Sequence, residues 1–168
     1  MLEVKRALEK FARNVVKFSR SNLTKKNKNV SKELYNSIGY DLQVHPKSFS
    51  LTFEMEEYGA YQDKGVSGVK KKYNTPFSYK SKMPPEKPIL DWINKRRLRL
   101  RDKETGRFTK GGQKSLAFVI RRSIYNKGIK PSLFFTKPFE ASFKHLPDEL
   151  VEAYGLTIEN ILTKLVQR

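Results

Sequence analysis

The sequence predicts an α+β fold, in which an antiparallel hairpin or small sheet packs against several α-helices beside one long extended loop. Apolar residues recur at helical spacing in several segments, alternate with polar residues in one segment, and follow no period in another. The alternating runs are grouped rather than interspersed with helices, which disfavours a doubly wound sheet. One domain spanning residues 1–168 is expected, because domains typically hold ~100–200 residues.

The N-terminal segment, residues 1–29, is predicted to be a helix followed by a polar, charged linker. Its apolar residues lie three or four positions apart: Val4, Leu8, Phe11, Val15 and Phe18. This spacing predicts an amphipathic helix from Leu2 to about Ser19 whose apolar stripe packs on the core or on a neighbouring subunit. A short second helix is expected after Ser31 and is ended by Gly39.

The chain then alternates apolar and polar residues with a period of two, which predicts the strands. The alternating apolar positions fall into two runs: Tyr40, Leu42 and Val44, then Phe49, Leu51 and Phe53. A turn containing Pro46 joins the runs, so an antiparallel hairpin with one buried face is expected. On continued strand alternation, Glu54 and Glu56 would share one face.

Residues 65–88 follow no period, and a loop of this length inside a compact domain is typically functional or disordered until bound. We expect it to reach a neighbouring subunit through a lysine run and the aromatic side chains after it: Lys70, Lys71, Lys72, Tyr73, Phe77 and Tyr79. Aromatic side chains are enriched at protein interfaces, although these rings could equally stack on single-stranded bases.

Two helices are predicted on either side of an exposed turn at residues 102–107. The first begins near Pro88 and runs towards Arg101, with Trp92 on its apolar face. The second extends from about Gln113 to Lys127 and ends at Gly128.

Beyond Gly128 the sequence predicts an extended run to Phe135 and a short helix over residues 138–143. Residues 148–168 carry apolar side chains at helical spacing, which predicts a C-terminal helix.

The net charge of +18 is concentrated in the middle of the chain. Residues 64–130 hold 20 Lys or Arg against 4 Asp or Glu, a net +16, whereas residues 1–63 carry +3 and residues 131–168 carry −1. Cations on the predicted helices form a candidate patch for an acidic partner or DNA: Lys95, Arg96, Arg97, Arg99, Arg101, Arg121 and Arg122. A solvated helix face screened by salt is the competing interpretation.

The residue types that carry chemistry are sparse. The chain has no cysteine, and its two histidines, His45 and His145, have no second metal ligand at suitable spacing. Its one acidic cluster consists of Glu54, Glu56, Glu57 and Asp63. A nuclease would need such carboxylates to converge on a metal, but a solvated stripe is the simpler interpretation. No catalytic residue, metal or cofactor is therefore expected, and the chain is predicted not to be an enzyme.

The order of several weak motifs resembles a known family. The element Tyr58-Gly59-Ala60-Tyr61-Gln62-Asp63-Lys64-Gly65 is followed by the Trp92 helix, and then by Gly128-Ile129-Lys130-Pro131 before an aromatic pair. This order is similar to that of the HK97 gp10-like tail-completion proteins of tailed bacteriophages, over roughly residues 30–143. The positions that carry the resemblance are Tyr58, Ala60, Tyr61, Gly65, Trp92, Gly128 and Pro131.

The resemblance implies an α+β subunit in a homo-oligomeric ring, a hexamer or dodecamer, at the head–tail junction or tail of a virion. Such a subunit is made in the host cytoplasm, contacts other neck, tail or portal-associated proteins, and has no enzymatic activity. Contact with packaged DNA is a further expectation from the charge, and no membrane contact is expected. The alternative function is a basic nucleic-acid-binding module.

Overall fold

The computed structural model describes residues 2–28, 31–45, 48–108 and 112–153. The chain folds into two compact units. The first unit comprises Met1–Asp63 and Leu133–Arg168, and the inserted unit comprises Lys64–Ser132. The expectation of a single domain stays a prediction.

The described elements confirm the predicted α+β class. In chain order they are α1 (Leu2–Lys25), α2 (Glu33–Ser37), β1 (Gly39–His45), β2 (Ser48–Glu54), α3 (Tyr58–Lys64), α4 (Glu86–Arg96), α5 (Gln113–Lys127), α6 (Thr136–Phe143) and α7 (Asp148–Ala153). The predicted C-terminal helix begins at Asp148 as expected, but residues 154–168 lie outside the described residues. Within the described ranges, no helix is both long enough and apolar enough to cross a membrane.

Helix α1 is longer than predicted, and its buried stripe is displaced from Phe18. The stripe consists of Leu8, Phe11, Ala12, Val15, Ser19 and Leu23. Phe18 is 49% exposed, whereas Ser19 is fully buried, so Phe18 does not pack on the core of this chain. Its packing on a neighbouring subunit stays a prediction. Since the helix continues to Lys25, the stripe is centred on Val15, Ser19 and Leu23, which leaves Phe18 at its edge.

Strands β1 and β2 form the predicted antiparallel hairpin, with a register from Gly39 opposite Glu54 to His45 opposite Ser48. The residues joining them, 46–47, lie outside the described residues. Phe53 of β2 meets Phe11, Phe135 and Phe139 edge-to-face, with ring centroids 5.3–6.1 Å apart. Such aromatic pairs add roughly 0.5–1.5 kcal/mol each beyond the area that they bury. This cluster therefore forms the core of the first unit.

The hairpin ends at Glu54, and this changes the interpretation of the acidic cluster. Glu56 follows the end of β2, so Glu54 and Glu56 do not share a strand face. Residues 58–64, for which the sequence predicted no element, form α3. Gly59 is buried there, and a Cβ atom on it would lie 2.7 Å from Met55 Sδ.

Asp63 and Leu133, where the chain leaves and re-enters the first unit, are hydrogen-bonded to each other. The Leu133 N–H donates to the Asp63 carbonyl at 3.0 Å. The Asp63 carboxylate, which belongs to a residue only 4% exposed, accepts from the N–H of Phe135 at 2.8 Å and from the N–H of Thr136 at 3.2 Å. The Thr136 hydroxyl also donates to it. The first backbone N–H groups of a helix have no acceptor within the helix. Asp63 therefore provides the acceptor for two such groups at the start of α6.

Candidate interaction surface of the inserted unit

The positive charge of the chain coincides with one compact unit. Residues 64–132 contain 20 Lys or Arg and 4 Asp or Glu, which accounts for +16 of the total +18. Two of the four acids have partners inside the unit: Glu86 pairs with Arg121 at 3.2 Å, and Asp102 accepts hydrogen bonds in a turn. An isolated field of this size attracts polyanions and accelerates their association.

Helices α4 and α5 provide the framework of the inserted unit. Ile93 of α4 and Ala117 of α5 are both fully buried. The observed bounds of α5 agree with the prediction, and Gly128 ends the helix with a φ of 73° while its N–H donates to the Ile124 carbonyl. Trp92, predicted on the apolar face of α4, is 39% exposed, whereas Ile93 of the same predicted face is fully buried.

Two chain segments near the ends of the inserted unit's sequence cross in backbone contact. Val66 and Ile129 exchange two backbone hydrogen bonds of 2.9 and 2.8 Å. A Cβ atom on Gly65 would lie 2.7 Å from Pro131 Cδ, and one on Gly128 would lie 2.1 Å from the Val66 carbonyl oxygen. Three of the motif positions, Gly65, Gly128 and Pro131, thus lie at a crossing that leaves no room for a side chain at either glycine.

The loop predicted at residues 65–88 is folded onto itself over much of its length. The Ser67 N–H donates to the Phe77 carbonyl at 2.8 Å, and the Tyr79 N–H donates to the Ser67 carbonyl at 2.9 Å. The Ser67 hydroxyl also bonds to both the carbonyl and the N–H of Tyr73. The Tyr125 hydroxyl donates to the Lys80 carbonyl at 2.9 Å. These bonds hold the loop against itself and against the end of α5.

The predicted interface residues of this loop separate into two groups. Lys70, Lys71 and Lys72 are exposed, while Tyr73, Phe77 and Tyr79 are half-buried. The Lys71 ammonium lies 5.5 Å from the Tyr73 ring centroid, and burial raises the pKa of Tyr79. The lysines therefore form the accessible part of the loop, whereas the aromatic rings also pack within the unit.

The candidate cationic patch is not the continuous helical face that the sequence predicted. Helix α4 ends at Arg96, and Arg97 adopts the left-handed conformation with a φ of 52°. The Leu98 N–H donates to the Ile93 carbonyl at 3.0 Å, which completes a C-terminal cap in which glycine is the usual residue. An arginine in this conformation costs about 1 kcal/mol relative to glycine.

Beyond this cap, exposure alternates residue by residue. Arg97, Arg99 and Arg101 are exposed, and the intervening Leu98 and Leu100 are half-buried. On a helix Arg97 and Arg101 would share a face and Arg99 would point away from it, whereas the alternation seen here exposes all three between half-buried leucines. The repeated Leu-Arg pair in the sequence is the signal that predicts this non-helical arrangement.

The predicted exposed turn at residues 102–107 is present, and it closes a small hairpin. Arg101 and Phe108 form an antiparallel bridge, and the Asp102 N–H donates to the Arg107 carbonyl at 2.8 Å. The Asp102 carboxylate accepts from the backbone N–H and hydroxyl of Thr105 and from the Glu104 N–H. These bonds, those from Thr105 foremost, lower the pKa of Asp102.

Phe108 belongs to the same surface, although no sequence pattern indicated a role for it. Its side chain is 57% exposed. The guanidinium carbons of Arg101 and Arg99 lie 4.5 and 5.9 Å from its ring centroid. Two cations from the candidate patch are therefore stacked on an aromatic ring that the turn brings beside them.

The other predicted positions divide between structural and accessible roles. Arg121 donates from Nε to the Pro84 carbonyl at 2.7 Å and pairs with Glu86, so it stabilises the inserted unit, while Arg122 is exposed. In the first unit, Tyr58 and Tyr61 of α3 are 43% and 45% exposed. Ala60 of the same helix is half-buried.

The histidines and acidic residues that were candidates for catalysis or metal binding do not converge on one site. In the described residues, no group of three or more His, Cys, Asp or Glu side chains could hold a metal ion. Asp63 is occupied by its bonds to the start of α6, and His45 and His145 are exposed.

Similarity to known proteins does not assign a role to the surface described above. Comparison of the chain with protein-family models, with curated proteins and with solved structures finds no match.

Proposed function

We propose that this chain is a structural virion protein of a tailed bacteriophage, a tail-completion or head–tail connector subunit that assembles into a ring. In this proposal the first unit provides the packed framework. The inserted unit provides the surface that binds neighbouring proteins of the neck or tail. The protein works by assembly, without catalysis.

The observation that carries this proposal is the crossing of Gly65 with Gly128 and Pro131. Gly65 is more than 60 residues from Gly128 and Pro131 in the sequence, yet the two segments meet where the backbone leaves no room for a side chain at Gly65 or Gly128. The resemblance rests on the order of such positions along the chain. Their role in one shared constraint supports interpreting them as a single motif rather than as coincidental matches.

Exposed apolar side chains on α5 favour an assembling protein. Phe118 and Val119 are 48% and 57% exposed and are adjacent in the sequence. Arg122, which is also exposed, lies one turn further along the same face. Aromatic residues and arginine are enriched at protein interfaces, and a ring subunit buries such residues only when it assembles.

The charge of the inserted unit favours a second candidate, a basic nucleic-acid-binding module. A net +16 within 69 residues is the electrostatic footprint expected of such a module. This function needs no ring and predicts a monomer or dimer in solution.

Inactivating the gene in the producing phage tests the proposal. We expect heads and tails of normal appearance to accumulate unjoined, because the missing subunit acts at their junction. A plasmid copy should restore joining, and a Val119→Asp copy should not, since a carboxylate on the α5 face opposes apolar contact. Electron microscopy and titre of infectious particles provide the measurement.

Gln113→Asp is the matched control, because it adds the same charge to an exposed position of the same helix without removing apolar surface. This copy should restore joining. Infectious, joined particles in the complete absence of the protein would refute the proposed function.

A further inference from the structure

Residues 97–108, which we call the arginine hairpin, present cations in an ordered arrangement. Arg97, Arg99 and Arg101 are exposed at alternate positions, and Phe108 lies beside the last two of them. The hairpin is closed by the Arg101–Phe108 bridge and by the hydrogen bonds of the Asp102 carboxylate. These contacts fix the backbone that carries the cations.

Arg97 is an independent indication that charge at this point has a role. It occupies the left-handed position of the α4 cap, where glycine is favoured. A residue that keeps a large cationic side chain in a disfavoured conformation points to a function for that side chain.

Phe108 determines which kind of partner suits the hairpin. Because the Arg101 guanidinium lies 4.5 Å from its ring centroid, a face of the ring is already covered. That face of the ring is therefore not available to stack on a base or to enter an apolar pocket of a protein. A guanidinium stacked on a ring still keeps its in-plane N–H groups available to an acceptor such as phosphate. Phe108 thus orients the arginines for contact with an anion.

We infer that the arginine hairpin binds the phosphate backbone of nucleic acid, with Arg97, Arg99 and Arg101 contacting phosphates and Phe108 orienting the last two. A phosphodiester backbone offers a regular line of charges to cations that are exposed at alternate positions. Phosphate contacts carry no sequence information, so binding should be independent of base sequence. The inference requires no ring, and it applies equally to a monomeric protein.

Fluorescence anisotropy of the full chain with a labelled duplex DNA of about 30 base pairs, over a range of salt concentrations, tests the inference. The Arg99→Gln/Arg101→Gln variant should bind about 10-fold more weakly than the unchanged protein, and its salt slope should fall by about two. Phe108→Ala should weaken binding several-fold with an unchanged salt slope, because it removes the support and no charge. Thermal melting of each variant verifies that it is folded.

Lys70→Gln/Lys72→Gln is the matched control, since it removes the same charge from exposed positions elsewhere in the inserted unit. We expect it to weaken binding less than about threefold, because it removes only long-range electrostatic attraction, which salt screens. Equal weakening by the two double variants would overturn the inference, because binding would then depend on net charge only. Failure to bind the duplex at about 100 mM salt would overturn it as well.

Competition by polyglutamate distinguishes the partner class. If polyglutamate displaces the protein as effectively as unlabelled DNA at equal charge concentration, the surface recognises acidic polymers in general, and the inference fails. If DNA competes far better, the inference is supported, whatever the oligomeric state of the chain.

Discussion

Alanine at position 128 is expected to destabilise the inserted unit by about 3–5 kcal/mol. Gly128 combines a φ of 73° with a ψ of −169°, a region of backbone space that is essentially restricted to glycine. A Cβ atom there would lie 2.1 Å from the Val66 carbonyl oxygen and 2.5 Å from the Gly68 nitrogen. Both contacts are with backbone atoms, so no side-chain rotation relieves them.

Denaturant unfolding and amide hydrogen exchange measure this effect. Gly128→Ala should lower the free energy of unfolding and remove exchange protection at Val66 and Ile129, which bond to each other across the crossing. Gly106→Ala is the matched control: Gly106 also has a positive φ, of 67°, but a Cβ atom on it would meet nothing within 4 Å. This control should cost about 1 kcal/mol, from the backbone conformation alone. Equal costs for the two variants would show that the crossing is less tight than described.

Asp63→Ala is expected to destabilise the first unit by about 3–5 kcal/mol, because it leaves buried donors without an acceptor. The N–H groups of Phe135 and Thr136 and the Thr136 hydroxyl all donate to this carboxylate. Asp63→Asn should cost less, since the amide oxygen still accepts from the backbone. Thermal and denaturant unfolding provide the measurement.

Asp91→Ala serves as the control, because Asp91 is an exposed carboxylate on α4. Its replacement should change stability by less than about 0.5 kcal/mol. If Asp63→Ala and Asp91→Ala unfold at the same denaturant concentration, Asp63 does not have the structural role that its hydrogen bonds indicate.

Sequence patterns predicted the elements that are determined by residues close to one another in the chain. Alternation over residues 40–53 predicted the β1–β2 hairpin, because a strand places successive side chains on opposite faces. The spacing in residues 113–127, followed by Gly128, predicted both ends of α5. In each case the signal lies within the element or directly beside it.

The features that were missed depend on residues distant in sequence or on local conformations that the residue pattern does not specify. The structural role of Asp63 could not be predicted, because its partners at 135 and 136 are more than 70 residues away. Helix α4 was extended to Arg101 because the cap at Arg97 uses a residue that rarely adopts the left-handed conformation. The burial of Ser19 in place of Phe18 followed from the length of α1, which the stripe alone did not determine.

The sequence predicted which cations form the candidate surface but not how they are arranged. The sequence identified the cations of residues 95–101, and in the structure Arg97, Arg99 and Arg101 are exposed at alternate positions. Phe108 could not be selected in advance, because only the turn at Asp102 brings its ring to the arginines. Arg121 carried the same charge signal but is bonded within the inserted unit.

The claim that this chain works by assembling into a ring is tested most directly by its mass in solution. Mass measurement of the purified full chain, combined with negative-stain imaging, should reveal a closed ring, a hexamer or a dodecamer. Rings are expected because the exposed apolar residues of α5 need a partner surface, which cyclic assembly provides. A monomer or dimer at micromolar concentrations, with no ring in the images, would contradict the account and favour the nucleic-acid-binding alternative.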